Sequence, residues 1–180
     1  MEADWSQAAF WYAAQGIGND VTVTGMDEGS TQGDRIIRDW GKMIQSGGTV
    51  SLNVSQAPDL VPPLAAWGAL MKGTLYLKNA ARLRIKESDR LAAVAQVLTA
   101  MGADVTEEAD SLTIVGKPAL AGDVTVDSHN DHRIAMMAAI AATRCEKPVT
   151  ITGAQCVAKS YPNFWEEYER LGGQFTEDRP

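Results

Sequence analysis

At 180 residues, with 45% apolar and 22% charged side chains, the chain has the size and composition of a folded globular protein rather than a disordered one. Sixteen Lys and Arg against 23 Asp and Glu leave a formal charge of −7, which excludes the broad basic face that sequence-independent nucleic-acid binding requires. The longest apolar run, Ile134 to Ala142, falls short of a bilayer crossing, and neither Cys145 nor Cys156 has metal-ligand or disulfide-framework spacing.

The start Met1-Glu2-Ala3-Asp4-Trp5 is acidic, with no basic leader, so a cytoplasmic protein with reduced thiols is expected. From there the predicted elements repeat. Asp4 opens an apolar helix through Ala8-Ala9-Phe10-Trp11-Tyr12-Ala13-Ala14. A β-branched strand Val21–Thr24 follows, then an amphipathic helix from Gln32-Gly33-Asp34 to about Gln45. The segment Gly48–Val54 leaves room for one strand. Asp59 then precedes a second apolar helix, Leu64 to Met71, with Pro62 and Pro63 tolerated in its first turn. The strand Thr74–Leu77 leads to a helix from Lys86 to Met101, closed by Gly102. Between Asp104 and Asp127 three short strands are predicted, with turns at Glu108-Ala109-Asp110 and Ala121-Gly122. Asp131 opens the third apolar helix, Arg133 to Thr143. The strand Val149–Thr152 and a last helix from Tyr161-Pro162, stopped by Gly172-Gly173, complete the chain. Three units in one domain, 1–180, are expected, the first shortened by a hairpin.

The cations gather at predicted helix starts: Lys86-Glu87-Ser88-Asp89-Arg90, Asn130-Asp131-His132-Arg133 and Lys159-Ser160-Tyr161-Pro162. A helix start offers free N–H groups and the positive end of the dipole, so it attracts an anion and disfavours a cation. If the repeat brings these starts together, Lys86, Arg90, Arg133 and Lys159 form one anion-binding patch, with Asp59 and Glu87 as candidates for proton transfer. The competing readings are ordinary ones. A charged first turn is usually a solvated face, Asp59 suits a helix start for stability alone, and Trp5, Trp11, Tyr12 and Trp67 read as core. His129 and His132, with Asp127 and Asp131, have an incidental His-x-x-His spacing, so no metal is expected.

Lys86-Glu87-Ser88-Asp89-Arg90, Asp131-His132-Arg133-Ile134-Ala135-Met136 and Lys159-Ser160-Tyr161-Pro162-Asn163-Phe164 resemble the signature segments of the EPSP synthase family. Gln32-Gly33-Asp34, Pro58-Asp59 and Glu2-Ala3-Asp4 agree more loosely. The resemblance runs from Glu2 to about Gly173. It implies a mixed α/β fold, an inside-out α/β barrel of three β-α-β-α-β-β-type units corresponding to the family's C-terminal domain, with its N-terminal domain absent. The implied reaction is enolpyruvyl transfer from phosphoenolpyruvate to the 5-hydroxyl of shikimate 3-phosphate, on the route to aromatic amino acids, with no cofactor, no nucleic acid and no membrane. In that pattern Asp59 and Lys86 hold shikimate 3-phosphate, and Arg90, Arg133 and Lys159 hold phosphoenolpyruvate. Asp59, Glu87, His132 and Lys159 match the catalytic positions. The alternatives are a related UDP-N-acetylglucosamine enolpyruvyl transferase, which depends on a catalytic cysteine, and a non-catalytic anion-binding module. The family site lies between two domains, so this chain is expected to fold alone but not to turn over alone.

Overall fold

The computed structural model describes residues 3–177, so Glu2 of the Glu2-Ala3-Asp4 segment lies outside the described residues. Three helices form the centre: α1 (Trp5–Gly16), α3 (Val61–Gly68) and α5 (His132–Ala142). Each is apolar nearly all round, and a helix without a polar face has no place except the interior. All of α3 is buried, as is α5 apart from Arg133 and the half-buried Ala142. The three helices pack on one another, and their buried side chains belong to one continuous core.

The outer helices carry stripes instead. In α2 (Ile37–Ser46) only Ile37, Trp40, Gly41 and Ile44 are buried, the i, i+3, i+4, i+7 pattern of a surface helix. α4 (Arg90–Ala100) and the short α6 (Phe164–Arg170) complete the set. Trp67 of α3 is wedged between α1 and α2. A Cβ on Gly16 would lie 2.0 Å from its ring and one on Gly41 2.5 Å, so only glycine permits this approach.

Strands cover the centre on two sides. β1 (Gly48–Asn53), β2 (Gly73–Lys78), β3 (Asp104–Glu107) and β4 (Leu112–Val115) form a sheet ordered β1-β2-β4-β3. β1 and β2 run parallel with Gly48 opposite Gly73, whereas β4 is antiparallel to both neighbours. Alternate residues Val50, Leu52, Leu75, Leu77, Leu112 and Ile114 are buried, as expected of a sheet with one covered face. β5 (Val124–Asp127) and β6 (Val149–Thr152) form a second, parallel pair, Val124 opposite Val149. The repeat is thereby visible as two crossovers, β1-α3-β2 and β5-α5-β6, in which a buried helix joins parallel strands.

Besides α3, which ends at Gly68 rather than Met71, four segments differ from expectation. Val21–Thr24 forms no strand, because β-branched alternation becomes a strand only where a partner supplies the ladder. The helix expected from Gln32 begins as a 3-10 turn, Gly33–Ile36, before α2. α4 starts at Arg90 rather than Lys86, since the Asp89 carboxylate accepts from the Ala92 N–H at 3.1 Å and so sets the cap. The third cationic segment holds no helix start at Lys159, which instead ends a 3-10 turn, Ala154–Lys159, with α6 beginning at Phe164.

Candidate active site

Three acids precede the three central helices and are used in two ways. Asp4 caps α1, accepting from Ser6 N–H at 2.8 Å, and Asp131 caps α5, accepting from Arg133 N–H at 2.9 Å. Asp59, in the 3-10 turn Pro58–Leu60 before α3, caps nothing. Its oxygens face cations: Arg90 Nη1 at 2.9 Å and Lys86 Nζ at 3.2 Å on Oδ1, and Arg133 Nη2 at 3.5 Å on Oδ2. Asp59 thus stands in the turn that opens α3 without capping it, and α3 has Pro62 and Pro63 in its first turn.

Arg90 is the hub. Its side chain is 1% exposed and makes four hydrogen bonds to three carboxylates. Nε donates to Asp131 Oδ2 at 2.8 Å and Nη2 to Asp131 Oδ1 at 3.2 Å, a bidentate pairing with a carboxylate that is itself 0% exposed. Nη1 meets Asp59, and Nη2 also donates to Glu87, the most exposed of the three at 47%. Ser88 Oγ adds a bond to Asp131 Oδ2 at 3.0 Å. Five of the predicted residues, Asp59, Lys86, Glu87, Arg90 and Arg133, thus share one ionic cluster drawn from three separate segments. Lys159 adjoins it less directly: its Nζ donates at 2.8 Å to the carbonyl of Asn130, next to Asp131.

The electrostatics sort these groups. Burial alone would raise the Asp59 carboxyl, but Arg133, Lys86 and Arg90 outweigh it and hold it below the ordinary carboxylate value. Asp131 follows the same balance, with Arg90 outweighing burial. Both are ionised at neutral pH, which makes them acceptors and orienting groups. His132 is lowered, first by burial and then by Arg133, so its imidazole is neutral. Its Nδ1 is buried without a hydrogen-bond partner.

One further carboxylate joins this neighbourhood. Asp34 accepts a bond from Ser6 Oγ, and burial pushes its carboxyl upward, with Asp59 raising it further and Arg133 opposing. The Gln32-Gly33-Asp34 segment pointed here, but no charge or spacing tied it to Asp59. Among the described residues no three His, Cys, Asp or Glu side chains are grouped to share a metal ion. Asp127 instead accepts the His129 backbone N–H at 2.9 Å.

Known proteins give this geometry a context. A family model described as EPSP synthase (3-phosphoshikimate 1-carboxyvinyltransferase) matches residues 1–168. The 3-phosphoshikimate 1-carboxyvinyltransferase of Clostridium kluyveri is 46% identical across 98% of this chain, and that of Clostridioides difficile 42% across 98%. The chain spans about 45% of the length of these curated relatives. Among solved structures, an EPSP synthase from Acinetobacter baumannii superposes with a TM-score of 0.81 at 28% identity, covering 97% of this chain and 47% of that one. The enolpyruvyl transferase NikO from Streptomyces tendae, at TM-score 0.72 and 16% identity over 97% of this chain and 44% of that one, shares the fold. Sequence model and backbone agree over nearly the whole length, and on that footing the chain belongs to the EPSP synthase family.

Proposed function

We propose that the cluster around Asp59 is one wall of an active site that transfers the enolpyruvyl group of phosphoenolpyruvate to the 5-hydroxyl of shikimate 3-phosphate. Residues 1–180 are read as a single C-terminal domain of such a cytoplasmic enzyme. The facing wall comes from sequence that relatives carry beyond the stretch matched here. Among the described residues no helix is long and apolar enough to cross a membrane.

The observation that carries the reading is the convergence of Lys86, Arg90 and Arg133 on the ionised Asp59. Phosphoenolpyruvate brings a phosphate and a carboxylate, and fixed cations position both without reorganising during reaction. Arg133 and Lys159 take one end. Arg90 takes the other by exchanging Glu87, its most exposed partner. Asp59, with Lys86, holds the shikimate hydroxyl. In addition, that oxygen bonds to C2 of phosphoenolpyruvate and passes its proton to the Asp59 carboxylate, while C3 gains a proton and becomes a methyl. In elimination, phosphate leaves C2 and a proton leaves C3, restoring the enol double bond. Glu87, freed from Arg90, is the group that gives and retakes the C3 proton. Neutral His132 lies beside Arg133 as a hydrogen-bonding group of the same wall.

A cysteine-dependent enolpyruvyl transferase fits poorly. Burial pushes the Cys145 thiol up to about 11 and raises that of Cys156 as well, so neither is a ready thiolate. The test combines this chain with the remaining part of a curated relative and follows phosphate release from both substrates. Activity is expected only in the mixture, and lost with Arg133→Ala or Glu87→Ala. A properly folded mixture that binds neither substrate would favour an anion-binding module instead.

A further inference from the structure

The segment between β2 and α4 carries Lys86 and Glu87, yet little apolar packing holds it. Leu83 is buried, but Ile85 is 85% exposed, and Glu87 and Asp89 lie at the surface. Beyond Leu83 the strap has no buried apolar side chain, so its shape there rests on polar ties. If the proposed function holds, ties on the ligand side are the wrong ones to rely on. Lys86 must share Asp59 with the shikimate hydroxyl, and Glu87 must leave Arg90, when substrates arrive.

The other side of the strap is tied by Arg84, which faces away from the cluster. Its Nε donates to the Ala109 carbonyl at 3.2 Å and its Nη2 to the Glu108 carbonyl at 2.7 Å. Its Nη1 meets Glu107 and both oxygens of Asp89, at 3.1 and 3.2 Å. Glu107 ends β3, while Glu108 and Ala109 form the turn into β4, so the acceptors belong to a hairpin paired within the larger sheet. Asp89 is the cap of α4, one residue before Arg90. The same turn also receives the start of the strap, Ala80 N–H donating to Asp110 O at 2.7 Å. One guanidinium therefore joins the hairpin turn to the cap of α4 across the base of the strap. Lysine has a single nitrogen and cannot reproduce that fork.

We infer that Arg84 is a positioning residue for Lys86 and Glu87, holding the strap against the β3–β4 turn while their own ion pairs exchange with ligand. It touches no reacting atom in this scheme.

Amide relaxation on the 180-residue chain tests this without any assumption about activity. In the native sequence Lys86–Ser88 should show rigid-backbone order parameters, about 0.85, falling below about 0.6 in Arg84→Ala and Arg84→Lys while α3 and α5 stay unchanged. In the reconstituted enzyme the same variants should lose about tenfold to a hundredfold in kcat at temperatures where they remain folded. Unchanged order parameters at Lys86–Ser88 in both variants would overturn the inference. So would normal turnover in both accompanied only by a lower Tm. If Arg84→Ala does not fold, Arg84→Lys decides alone. If the native mixture fails to turn over, the proposed function falls, and the relaxation result still judges Arg84.

Discussion

The central helices end differently at their two poles. Where α1 and α5 finish, carbonyls are closed by donors in the ordinary way. Asn19 Nδ2 donates to Ala14 O at 3.0 Å, Tyr168 OH to Ala139 O at 3.2 Å, and the cation Arg144 to Ile17 O at 2.6 Å. A cavity of about 380 Å³ lies among these groups, lined by Asn19, Thr143 and Tyr168. Cations and donors at helix C-termini obey the dipole, so this pole needs no reason beyond stability. The opposite pole breaks the rule. Arg90 and Arg133 stand in the first turns of α4 and α5, and Arg90 is buried against Asp131 at a desolvation cost that an apolar pair would avoid. A charge network placed against the dipole, with Arg90 and Asp131 held out of water, is the feature that supports the proposed site at this pole.

That contrast can be broken by comparing one arginine from each pole. Arg90→Met strands the buried Asp131 carboxylate and is expected to cost about 3–5 kcal/mol in urea denaturation. A neutral outcome would remove the claim that this pole is costly to maintain. Arg144→Met at the other pole gives up one hydrogen bond and a favourable dipole contact, about 1 kcal/mol by the same assay.

Acid sharpens the comparison further. His132 is held below its ordinary value of 6.5, so the unfolded chain gains a proton before the folded one does. Its contribution to stability is full above 6.5 and lost as pH falls through the folded value. Thermal melts from pH 7 to pH 5 should show this decline, and His132→Gln should flatten it. Below 3.8, Asp59 and Asp131 add a second decline; the raised Asp34 acts above 3.8, its contribution growing as pH falls through its folded value and being full below 3.8. The smallest effect belongs to a surface ion pair. The exposed Lys147–Asp123 pair, 3.0 Å apart, should change stability by less than about 0.5 kcal/mol in Lys147→Ala.

Local chemistry was legible along the chain wherever one segment contained the whole cause. The all-apolar helices α3 and α5, the caps at Asp4 and Asp131, the turn at Glu108-Ala109-Asp110 and the paired strands around it followed from residue type and period alone. Val21–Thr24 failed because strand formation depends on a partner that the segment does not contain. The charge pattern at Lys86 resembles a helical first turn, whereas the Asp89 cap three residues on decides where α4 begins.

The identity of the charged groups, and the order of the segments that carry them, was fixed by the sequence itself. Which charge meets which was decided only in three dimensions. Nothing in the primary structure says that Asp59 abandons its helix for Lys86, Arg90 and Arg133, that Arg90 spans three carboxylates, or that Arg84 turns away to the hairpin. Coulomb attraction and hydrogen bonding reach only a few ångströms with useful strength, so their outcome depends on the packing of the central helices, which brings distant segments within that range.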